Sequence, residues 1–482
     1  MTRLQELRKQ SGLTQEEISN KLGISQQAYG NYEREDSNIP LKTAEKIAEI
    51  LMVDVNEFYY QPELENDSLT EFLYKSLTSY HAVKNSIKLL EKDGFVELKE
   101  DETWNLKEGG KYYITKNASA LIAFKIGNLT NYAFHIASCH TDSPCLKIKG
   151  NSLIDSPEGK RINVERYGGL IAYSFLDIPL KIAGRALIET ENGVEQRIIS
   201  SPFNLNIPSL CVHHNPGVND GVELKFQSDM LPLIGDVEDL YKTLLPNEKI
   251  IDGDLYCVPF VKPTYSGVKN ELLVSSRIDN LTSLYSIISA IKDAKSQGIS
   301  LLYATDNEEI GSLSKQGAES AFLGYVLERV NKALNRTNED YYKAISNGFV
   351  LSIDNGHAVH PSHVEKSDPK ERVFLNKGVV IKHHPNYATD GLSSSIIKTI
   401  AKKNNIEVQE YFNNSDLRCG STIGLVTSAQ LAINTCDIGL AQLAMHSAIE
   451  TVGKYDIQKM VELVRSFYQT NIKIEGNSIN LD

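Results

Sequence analysis

Several features that define other classes of protein are missing from this sequence. No apolar run approaches the roughly 20 residues that a membrane-spanning helix needs. The opening stretch, MTRLQELRKQSG, is polar and lacks the apolar centre of a secretory signal peptide. There is no low-complexity tract and no Cys-x-x-Cys pair. These absences predict a cytoplasmic protein.

The composition is that of a globular protein with more than one domain. The 482 residues are 41% hydrophobic and 23% charged, and this length is typical of about three domains. The net charge of -12 disfavours nonspecific nucleic-acid binding by the chain as a whole. The six cysteines are scattered, and in a cytoplasmic protein we expect reduced thiols that pack as small apolar groups.

Residues 1–60 have the pattern of a separate helical module. Thr14 and Glu17 have the spacing of a capping box, which starts a helix, and Ser25 caps the next helix after a tight glycine-containing turn. Pro40 opens a further helix. The apolar residues of that helix are spaced i, i+3, i+4, i+7: Ala44, Ile47, Ala48 and Leu51. Two helices joined by a tight turn form the helix-turn-helix pattern.

The stretch LRKQSGLTQEEISNKLGISQQAYGNYERE resembles the Cro/C1-type helix-turn-helix family of bacterial regulators. The resemblance implies DNA binding, with base-edge contacts from Gln26, Gln27 and Asn31 in the major groove. Residues 1–60 contain seven Lys or Arg but ten Asp or Glu. Five basic residues are candidates for phosphate contacts: Arg3, Arg8, Lys9, Lys21 and Arg34. A module used for protein contacts is the alternative, and residues 61–69 are predicted to be a linker.

From residue 69 onward, short β-rich runs alternate with helical stretches, which predicts an α/β fold. Four apolar runs are each followed by side chains that can bind metals. These are His140 with Asp142, then Asp279, then Glu308 with Glu309, then Asp354. A later strand-like run, CDIGLAQLAMHS, adds His446. Sites in parallel α/β sheets form beyond the carboxyl ends of strands, so we expect these side chains at one edge.

This set of imidazoles and carboxylates suits a site for two metal ions. Borderline metals such as Zn²⁺ accept both kinds of ligand. His140 can bind a metal through one ring nitrogen while Asp142 accepts the other ring N–H. One of Glu308 and Glu309 can be a ligand while the other moves a proton. Each motif alone is common in solvated loops, so the prediction depends on their joint arrangement.

At these residues the chain resembles the aspartyl aminopeptidase family of di-zinc exopeptidases. The matching blocks occur in the family's order, and the likeness spans roughly residues 70–482. They read HTDSPCLKIKG, SSRIDNLTSLYS, DNEEIGSLSKQGA, SIDNGHAVHPSH, IKHHPNYATD and GSTIGLVTSAQLAINTCDIGLAQLAMHSAIE. The resemblance implies a di-zinc exopeptidase-like α/β fold, with a mixed sheet flanked by helices. The implied activity is hydrolysis of the first peptide bond of a peptide.

The resemblance implies a role for each matching residue. Asp279 corresponds to the ligand that bridges both metal ions, and Glu308 corresponds to the general base. The other ligands form two pairs, one for each metal: His140 with Asp354, and Glu309 with His446. The implied cofactors are two Zn²⁺ ions, with Mn²⁺ or Co²⁺ as alternatives.

The resemblance also implies a catalytic domain in two parts, residues 70–150 and 266–482. The intervening residues 151–265 are then an inserted β-rich oligomerisation domain, in a family that forms large assemblies, often dodecamers. Within it, IPSLCVHHNP resembles a stretch whose histidine reaches the active site of a neighbouring subunit. His213 is the better match, and His214 lies next to it.

Substrate preference is predicted from two residues. Lys382 lies where family members that prefer N-terminal Asp or Glu carry a substrate-binding lysine, and Tyr387 resembles a second substrate contact. The residues between them, HHPN, depart from the family pattern, so a preference for neutral residues such as Leu stays open. A DNA-binding regulator with a peptidase-like sensor is a rival hypothesis for the function, and so is a deacylase or carboxypeptidase of related fold.

Overall fold

The computed structural model describes residues 3–34, 39, 41–51, 68–475 and 478–482. The chain divides into two compact units, Met1–Glu71 and Phe72–Asp482. No helix in these described ranges is long and apolar enough to cross a membrane. Pro40 and most of the predicted linker, residues 61–67, lie outside the described residues.

The described residues contain thirteen α-helices. They are α1 Arg3–Gln10, α2 Gln15–Leu22, α3 Gln26–Tyr32, α4 Leu41–Leu51, α5 Ser68–Lys75, α6 Ser79–Lys92, α7 Leu240–Leu244, α8 Ile278–Asp293, α9 Phe322–Ala333, α10 Asn338–Ser346, α11 Gly391–Lys403, α12 Ile423–Leu431 and α13 Lys454–Gln469. Short 3₁₀ helices lie at Ala172–Phe175, Glu308–Ile310 and Val364–Lys366.

The same residues contain 22 strands. They are β1 Val96–Glu97, β2 Lys111–Lys116, β3 Ala120–Ile126, β4 Phe134–His140, β5 Cys145–Ser156, β6 Gly159–Tyr167, β7 Leu180–Thr190, β8 Gly193–Ser200, β9 Leu233–Gly235, β10 Ile250–Pro259, β11 Thr264–Ser266, β12 Leu272–Ser275, β13 Ile299–Thr305, β14 Phe349–Ile353, β15 Gly356–His357, β16 Val379–His383, β17 Val408–Phe412, β18 Asn434–Gly439, β19 Ala441–Leu443, β20 Glu450–Gly453, β21 Ile472–Glu475 and β22 Ser478–Leu481.

The helices of the first unit begin where the sequence predicts. The Thr14 hydroxyl accepts the N–H of Glu17 while the Glu17 carboxylate accepts the N–H of Thr14, which completes the capping box of α2. Ser25 accepts the N–H of Ala28 at the start of α3. The apolar faces of the four helices meet in one core: Leu4, Leu7, Ile18, Tyr29, Ile47 and Leu51. The predicted helix-turn-helix module is therefore a packed unit.

The centre of the second unit is a nine-stranded sheet in the order β1-β2-β3-β13-β4-β14-β18-β16-β17. Strands β13, β4, β14 and β18 are parallel neighbours. Every residue of β4, β13 and β14 is buried, as expected for strands covered on both faces. Helices α6, α8, α12 and α13 pack against this sheet. The predicted mixed sheet flanked by helices is confirmed.

One strand near the site lies in a different sheet from the one expected. Of the four strands expected to end at one sheet edge, β4, β13 and β14 belong to the nine-stranded sheet. Strand β12, which precedes Asp279, lies in a separate five-stranded sheet in the order β11-β12-β20-β19-β15. It is only four residues long and pairs antiparallel with β20, a strand 175 residues further along the chain. Because the two paired strands are so far apart in the chain, no local pattern in the sequence predicts their pairing.

A third, six-stranded antiparallel sheet has the order β8-β7-β10-β5-β6-β9. It is built from residues 145–259 and encloses its own apolar core, which includes Leu146, Val164, Ile182 and Leu255. These strands largely coincide with the predicted insert at 151–265, although β5 begins six residues earlier. The assignment of this region as an inserted oligomerisation domain stays a prediction.

Candidate metal centre and active site

Six candidate side chains converge beyond the ends of β4, β13 and β14. His140 is the last residue of β4, and Asp354 follows β14 directly. Glu308 and Glu309 lie in the 3₁₀ helix after β13. The other two candidates are Asp279, in the first turn of α8, and His446, in the turn after β19. Six residues that are far apart in sequence thus meet at one place.

The cluster contains three trios of possible ligands in the described residues; one is His140 with Glu308 and Glu309, and the other two share Asp279. His140 Nε2 lies 3.5 Å from Asp279 Oδ1 and 3.8 Å from Asp354 Oδ1. His446 Nε2 lies 3.5 Å from Asp279 Oδ2 and 3.4 Å from Glu309 Oε1. The ligand atoms within each trio all lie within 4.8 Å of one another. The two oxygens of Asp279 therefore face two different histidines.

Unpaired oxygens show that this cluster suits cations. Asp279 Oδ1 and Glu309 Oε1 are buried, and neither has a hydrogen-bond partner in the described part of the chain. Buried polar atoms are normally hydrogen-bonded, so two orphaned carboxylate oxygens beside imidazoles indicate a missing positive group. Imidazole and carboxylate together are ligands that zinc accepts. The residues present therefore fit a zinc site.

The electrostatics of the cluster also favour positive charge. Burial and the nearby carboxylates of Asp354 and Asp142 together raise the pKa of Glu308 to about 8, against the opposing effect of His140. Burial likewise raises the pKa of Glu309 well above its usual range. These carboxyl groups resist ionisation when no cation is bound, because their charges repel in a dry environment.

The pKa values of the two histidines are also raised, which for an imidazole favours the charged form. Burial alone would lower the pKa of His446, but its hydrogen bond to Asp279 and the charge of Glu309 raise that pKa to about 10. For His140, burial is outweighed in the same way by hydrogen bonds to neighbouring carboxylates, which raise its pKa. The carboxylates around both histidines thus stabilise positive charge at this place, whether a proton or a metal ion carries it.

Asp142 connects the histidine to the glutamate pair. The ring Nδ1 of His140 lies 3.1 Å from the backbone carbonyl oxygen of Asp142 and 3.3 Å from its Oδ1. The Asp142 carboxylate also accepts the backbone N–H groups of Glu308 and Glu309, each at 3.2 Å. Asp142 thus contacts both His140 and the turn that carries the two glutamates, and its role in orienting His140 stays a prediction.

Three further residues support the site although the sequence analysis assigns them no role. The hydroxyl of Tyr167 donates to Asp142 Oδ2 at 2.7 Å, and Asn307 Nδ2 donates to the Tyr167 oxygen at 2.9 Å. The buried carboxylate of Glu450 accepts the backbone N–H of Asp279 at 3.1 Å and that of His446 at 2.8 Å. Asn307 and Glu450 lie within two of the blocks that carry the family resemblance, whereas nothing in the sequence marks Tyr167.

The predicted substrate residues lie beside the Asp354 side of the cluster. Lys382 is 2% exposed, and its Nζ lies 3.9 Å from Asp354 Oδ2 and 5.1 Å from the ring centre of Tyr387. Tyr387 is also buried, with its hydroxyl 3.3 Å from the sulfur of Cys419. A buried lysine is thus held within reach of the candidate metal ligands.

The remaining predicted residues lie elsewhere. His213 and His214 occupy an exposed turn, and no hydrogen bond or ion pair among the described residues joins either to the metal cluster. Gln26, Gln27 and Asn31 are exposed on α3.

The basic residues expected to contact phosphate are fewer than the sequence suggests. The guanidinium of Arg8 forms an ion pair with the buried carboxylate of Glu33 at 2.6 Å. Arg8 therefore stabilises the module instead of contacting phosphate.

All six cysteines are free, and five of them are buried; Cys211 is exposed.

Comparisons with known proteins find relatives of both units of the chain. The family model described as "Aminopeptidase I zinc metalloprotease (M18)" matches residues 72–244 and 237–468. A helix-turn-helix family model matches residues 4–58. "Probable M18 family aminopeptidase 2" of Clostridium novyi is 40% identical over 424 residues, which cover 83% of this chain and 98% of that protein.

Solved structures show the same fold. The structure of the Ape4 and Nbr1 complex matches with 31% identity and a TM-score of 0.80, covering 83% of this chain and 85% of that chain. The mApe1 dodecamer of S. cerevisiae matches with 27% identity and a TM-score of 0.72, covering 83% of this chain and 95% of that chain.

Fold and site together define a metallopeptidase with an α/β catalytic unit, preceded by a helix-turn-helix module. The chain belongs to the M18 aminopeptidase family of zinc metalloproteases. The family resemblance predicted from the sequence is confirmed, and the hydrolase class follows from it.

Proposed function

We propose that this aminopeptidase uses two metal ions and that Glu308 is its general base. The observation that carries the proposal is the placement of Asp279, whose two oxygens each lie 3.5 Å from a different histidine. His140, Asp354 and one oxygen of Asp279 would hold one ion. Glu309, His446 and the other Asp279 oxygen would hold the second. Zinc is the expected metal, with Mn²⁺ or Co²⁺ as alternatives.

In this mechanism the protein positions a base beside the scissile bond. When bound, zinc supplies Lewis acidity that polarises a carbonyl group and lowers the pKa of water. Glu308 takes a proton from the attacking water and later gives it to the leaving amine. Its raised pKa falls when positive charge enters the site, so that it is ionised near neutral pH. The hydrogen bond from its backbone N–H to Asp142 fixes its position.

The test is release of N-terminal Glu, Asp or Leu from short peptides by zinc-loaded protein. We expect Glu308→Gln to lose activity by about 10²–10⁴-fold, because it removes the proton acceptor, while its zinc content is unchanged. Glu319→Gln, an exposed glutamate nearby in the sequence, is the matched control. Full activity in Glu308→Gln contradicts the assigned base. An inactive wild type that binds zinc favours the sensor alternative.

We also propose that the preferred N-terminal residue is acidic. Lys382 is buried, and the carboxylate of Asp354 lies 3.9 Å from its Nζ. Once a cation binds Asp354, the Lys382 ammonium can pair with a second carboxylate, that of the first side chain of the substrate. We expect Lys382→Met to lower the ratio of kcat/KM for Glu over Leu peptides by about tenfold. An unchanged ratio removes Lys382 from substrate recognition and favours a neutral preference.

We propose that the chain assembles into a homo-oligomer, with a dodecamer as in mApe1 the expected form. Residues 151–265 would be the insert that makes subunit contacts, between the catalytic parts 70–150 and 266–482. The exposed position of His213 is compatible with contact to a neighbouring subunit's site. Sedimentation velocity at several concentrations tests the assembly. His213→Ala should lower activity without changing the sedimentation coefficient, and activity equal to wild type contradicts its role.

DNA binding is the second function that we propose. It is favoured by Gln26, Gln27 and Asn31, which are exposed on the second helix of the motif. Binding sites selected from random duplexes by the full chain supply the probe for fluorescence anisotropy. We expect Gln27→Ala to weaken binding to the selected site and Glu16→Ala, an exposed control, to preserve it. Failure to enrich any sequence favours the protein-contact alternative.

A further inference from the structure

A second cavity, of about 300 Å³, lies beside the candidate metal centre and has no role in the mechanism above. Its lining includes His357 of β15, Gln442 of β19 and Tyr411 of β17. Two connections tie it to the metal centre. Asn355, the residue after Asp354, donates to Gln442 Oε1 at 2.6 Å. The lining also includes a residue of the turn that carries His446, two positions before that histidine.

The short strand β15 separates this cavity from the space around Lys382 and Tyr387, which we call the Lys382 pocket. A Cβ built on Gly356 would lie 3.5 Å from Cε of Lys382, so this residue faces the lysine. The next residue, His357, lines the cavity instead. Alternate residues of a strand point to opposite faces, which explains the division. A peptide whose first side chain occupies the Lys382 pocket would therefore have the cavity on the other side of β15.

The cavity wall contains a hydrogen-bond donor that has no acceptor. Gln442 is 1% exposed, and its Nε2 has no partner within the described ranges, although its Oε1 is paired with Asn355. A buried amide N–H is normally satisfied, so this one is available to an acceptor in the cavity. Peptide carbonyl and carboxylate oxygens are such acceptors.

The charged groups of the lining leave positive charge uncompensated. Three cationic side chains line the cavity, and no ion pair in the described part of the chain involves any of them: Lys366, Arg372 and Arg418. The two acidic side chains of the lining are already engaged. Asp368 accepts the backbone N–H groups of Lys370 and Glu371, and Glu371 lies 3.7 Å from the Lys370 ammonium. A carboxylate of a bound ligand could therefore form an ion pair with one of these three cations.

We propose that this cavity binds the peptide substrate beyond the scissile bond and favours a second residue with a carboxylate side chain. The inference rests on the proposed aminopeptidase function. Gln442 supplies a hydrogen bond to the peptide, and Arg418 supplies a cation to the second side chain. Because the cavity is separate from the Lys382 pocket, preference at the second residue is independent of preference at the first.

The experiment compares peptides that share their first and third residues and carry Glu, Ala or Lys at the second. The readout is the ratio of kcat/KM for second-residue Glu over Lys, measured within each variant, so that a general loss of activity cancels. We expect Arg418→Gln to lower this ratio about tenfold and Arg418→Glu to invert it. Arg418→Lys, which keeps the charge, should keep part of the wild-type ratio. Lys402→Gln, an exposed lysine of α11, is the charge-matched control.

The outcomes separate the inference from the function on which it rests. A ratio that falls in Arg418→Gln and keeps its wild-type value in Lys402→Gln supports the inference. If the first residue is released and the Glu-over-Lys ratio is the same in wild type, Arg418→Gln and Arg418→Glu, the inference alone is overturned. No release by the wild type overturns both proposals.

Discussion

At the scale of single residues, Glu450 shows how one buried side chain can support a site that it does not join. Its carboxylate accepts the backbone N–H groups of Asp279 and His446, and so fixes the two loops that carry these candidate ligands. Glutamine offers only one acceptor oxygen and cannot satisfy both. Groups that orient metal ligands contribute to affinity although they do not touch the metal.

We predict that Glu450→Gln lowers zinc affinity by about 10–100-fold. Competition with a chromophoric chelator measures this directly and does not depend on turnover. Glu339→Gln, in an exposed (i, i+4) pair with Lys343 on α10, is the control and should keep wild-type affinity. Unchanged zinc affinity in Glu450→Gln would show that the loops are held without this carboxylate.

Zinc binding should also release protons. The pKa of His446 is raised to about 10, so its imidazole carries a proton at neutral pH before a metal binds, and the pKa of His140 is raised in the same direction. A metal must displace such protons, so apparent zinc affinity rises as the pH rises from about 6 to about 9. Calorimetry in buffers of different ionisation enthalpy counts the protons. A binding heat that is the same in every buffer would contradict this prediction.

At the scale of secondary-structure elements, the first unit depends on one buried ion pair. Glu33, directly after α3, is 2% exposed and accepts hydrogen bonds from Arg8 of α1 and Gln15 of α2. Burial would raise its pKa, but these hydrogen bonds lower it overall. Its contribution to stability is therefore present above the ordinary glutamate pKa of about 4.3 and is lost as the pH falls below it.

We predict that Glu33→Ala destabilises the first unit by about 3 kcal/mol, because it leaves Arg8 without its partner. Hydrogen–deuterium exchange of peptides from α1–α3, measured in the full chain, should accelerate. Exchange in the core of the second unit should not change. Glu16→Ala, on the exposed face of α2, serves as the comparison. Equal exchange in Glu33→Ala and wild type would refute the role of this ion pair.

The elements around the site differ in how well the sequence predicts them. Strands β4, β13 and β14 are continuous apolar runs that end in polar motifs, so both their type and their relation to the site follow from the sequence. Strands β12 and β20 are four residues each and stabilise one another through pairing. Their partnership depends on residues far apart in the chain, and for that reason the separate five-stranded sheet was not predictable.

At the scale of the whole molecule, metal and stability are linked in the second unit. The cluster contains carboxylates whose charges repel and whose pKa values are raised by burial when no cation is present. Any ligand that binds only the folded state stabilises it. We predict that chelation of zinc lowers the melting temperature of this unit and that added zinc restores it. Differential scanning calorimetry gives the measurement, and an identical transition with and without chelator would contradict the proposed metal centre.

The sequence alone establishes the two kinds of unit, the family and the residues that can carry its chemistry. It does so because capping boxes, apolar strands and ligand motifs are local patterns whose meaning does not depend on distant parts of the chain. His140, Glu308 and His446 could each be named in this way.

Only the tertiary structure decides how those residues act on one another. Asp142, Tyr167 and Asn307 form one hydrogen-bonded chain, and Glu450 holds the backbone of two ligand loops. The partners in these contacts come from different sheets and connecting loops. Their distances are set by the packing of whole elements, and no local spacing in the sequence records that packing.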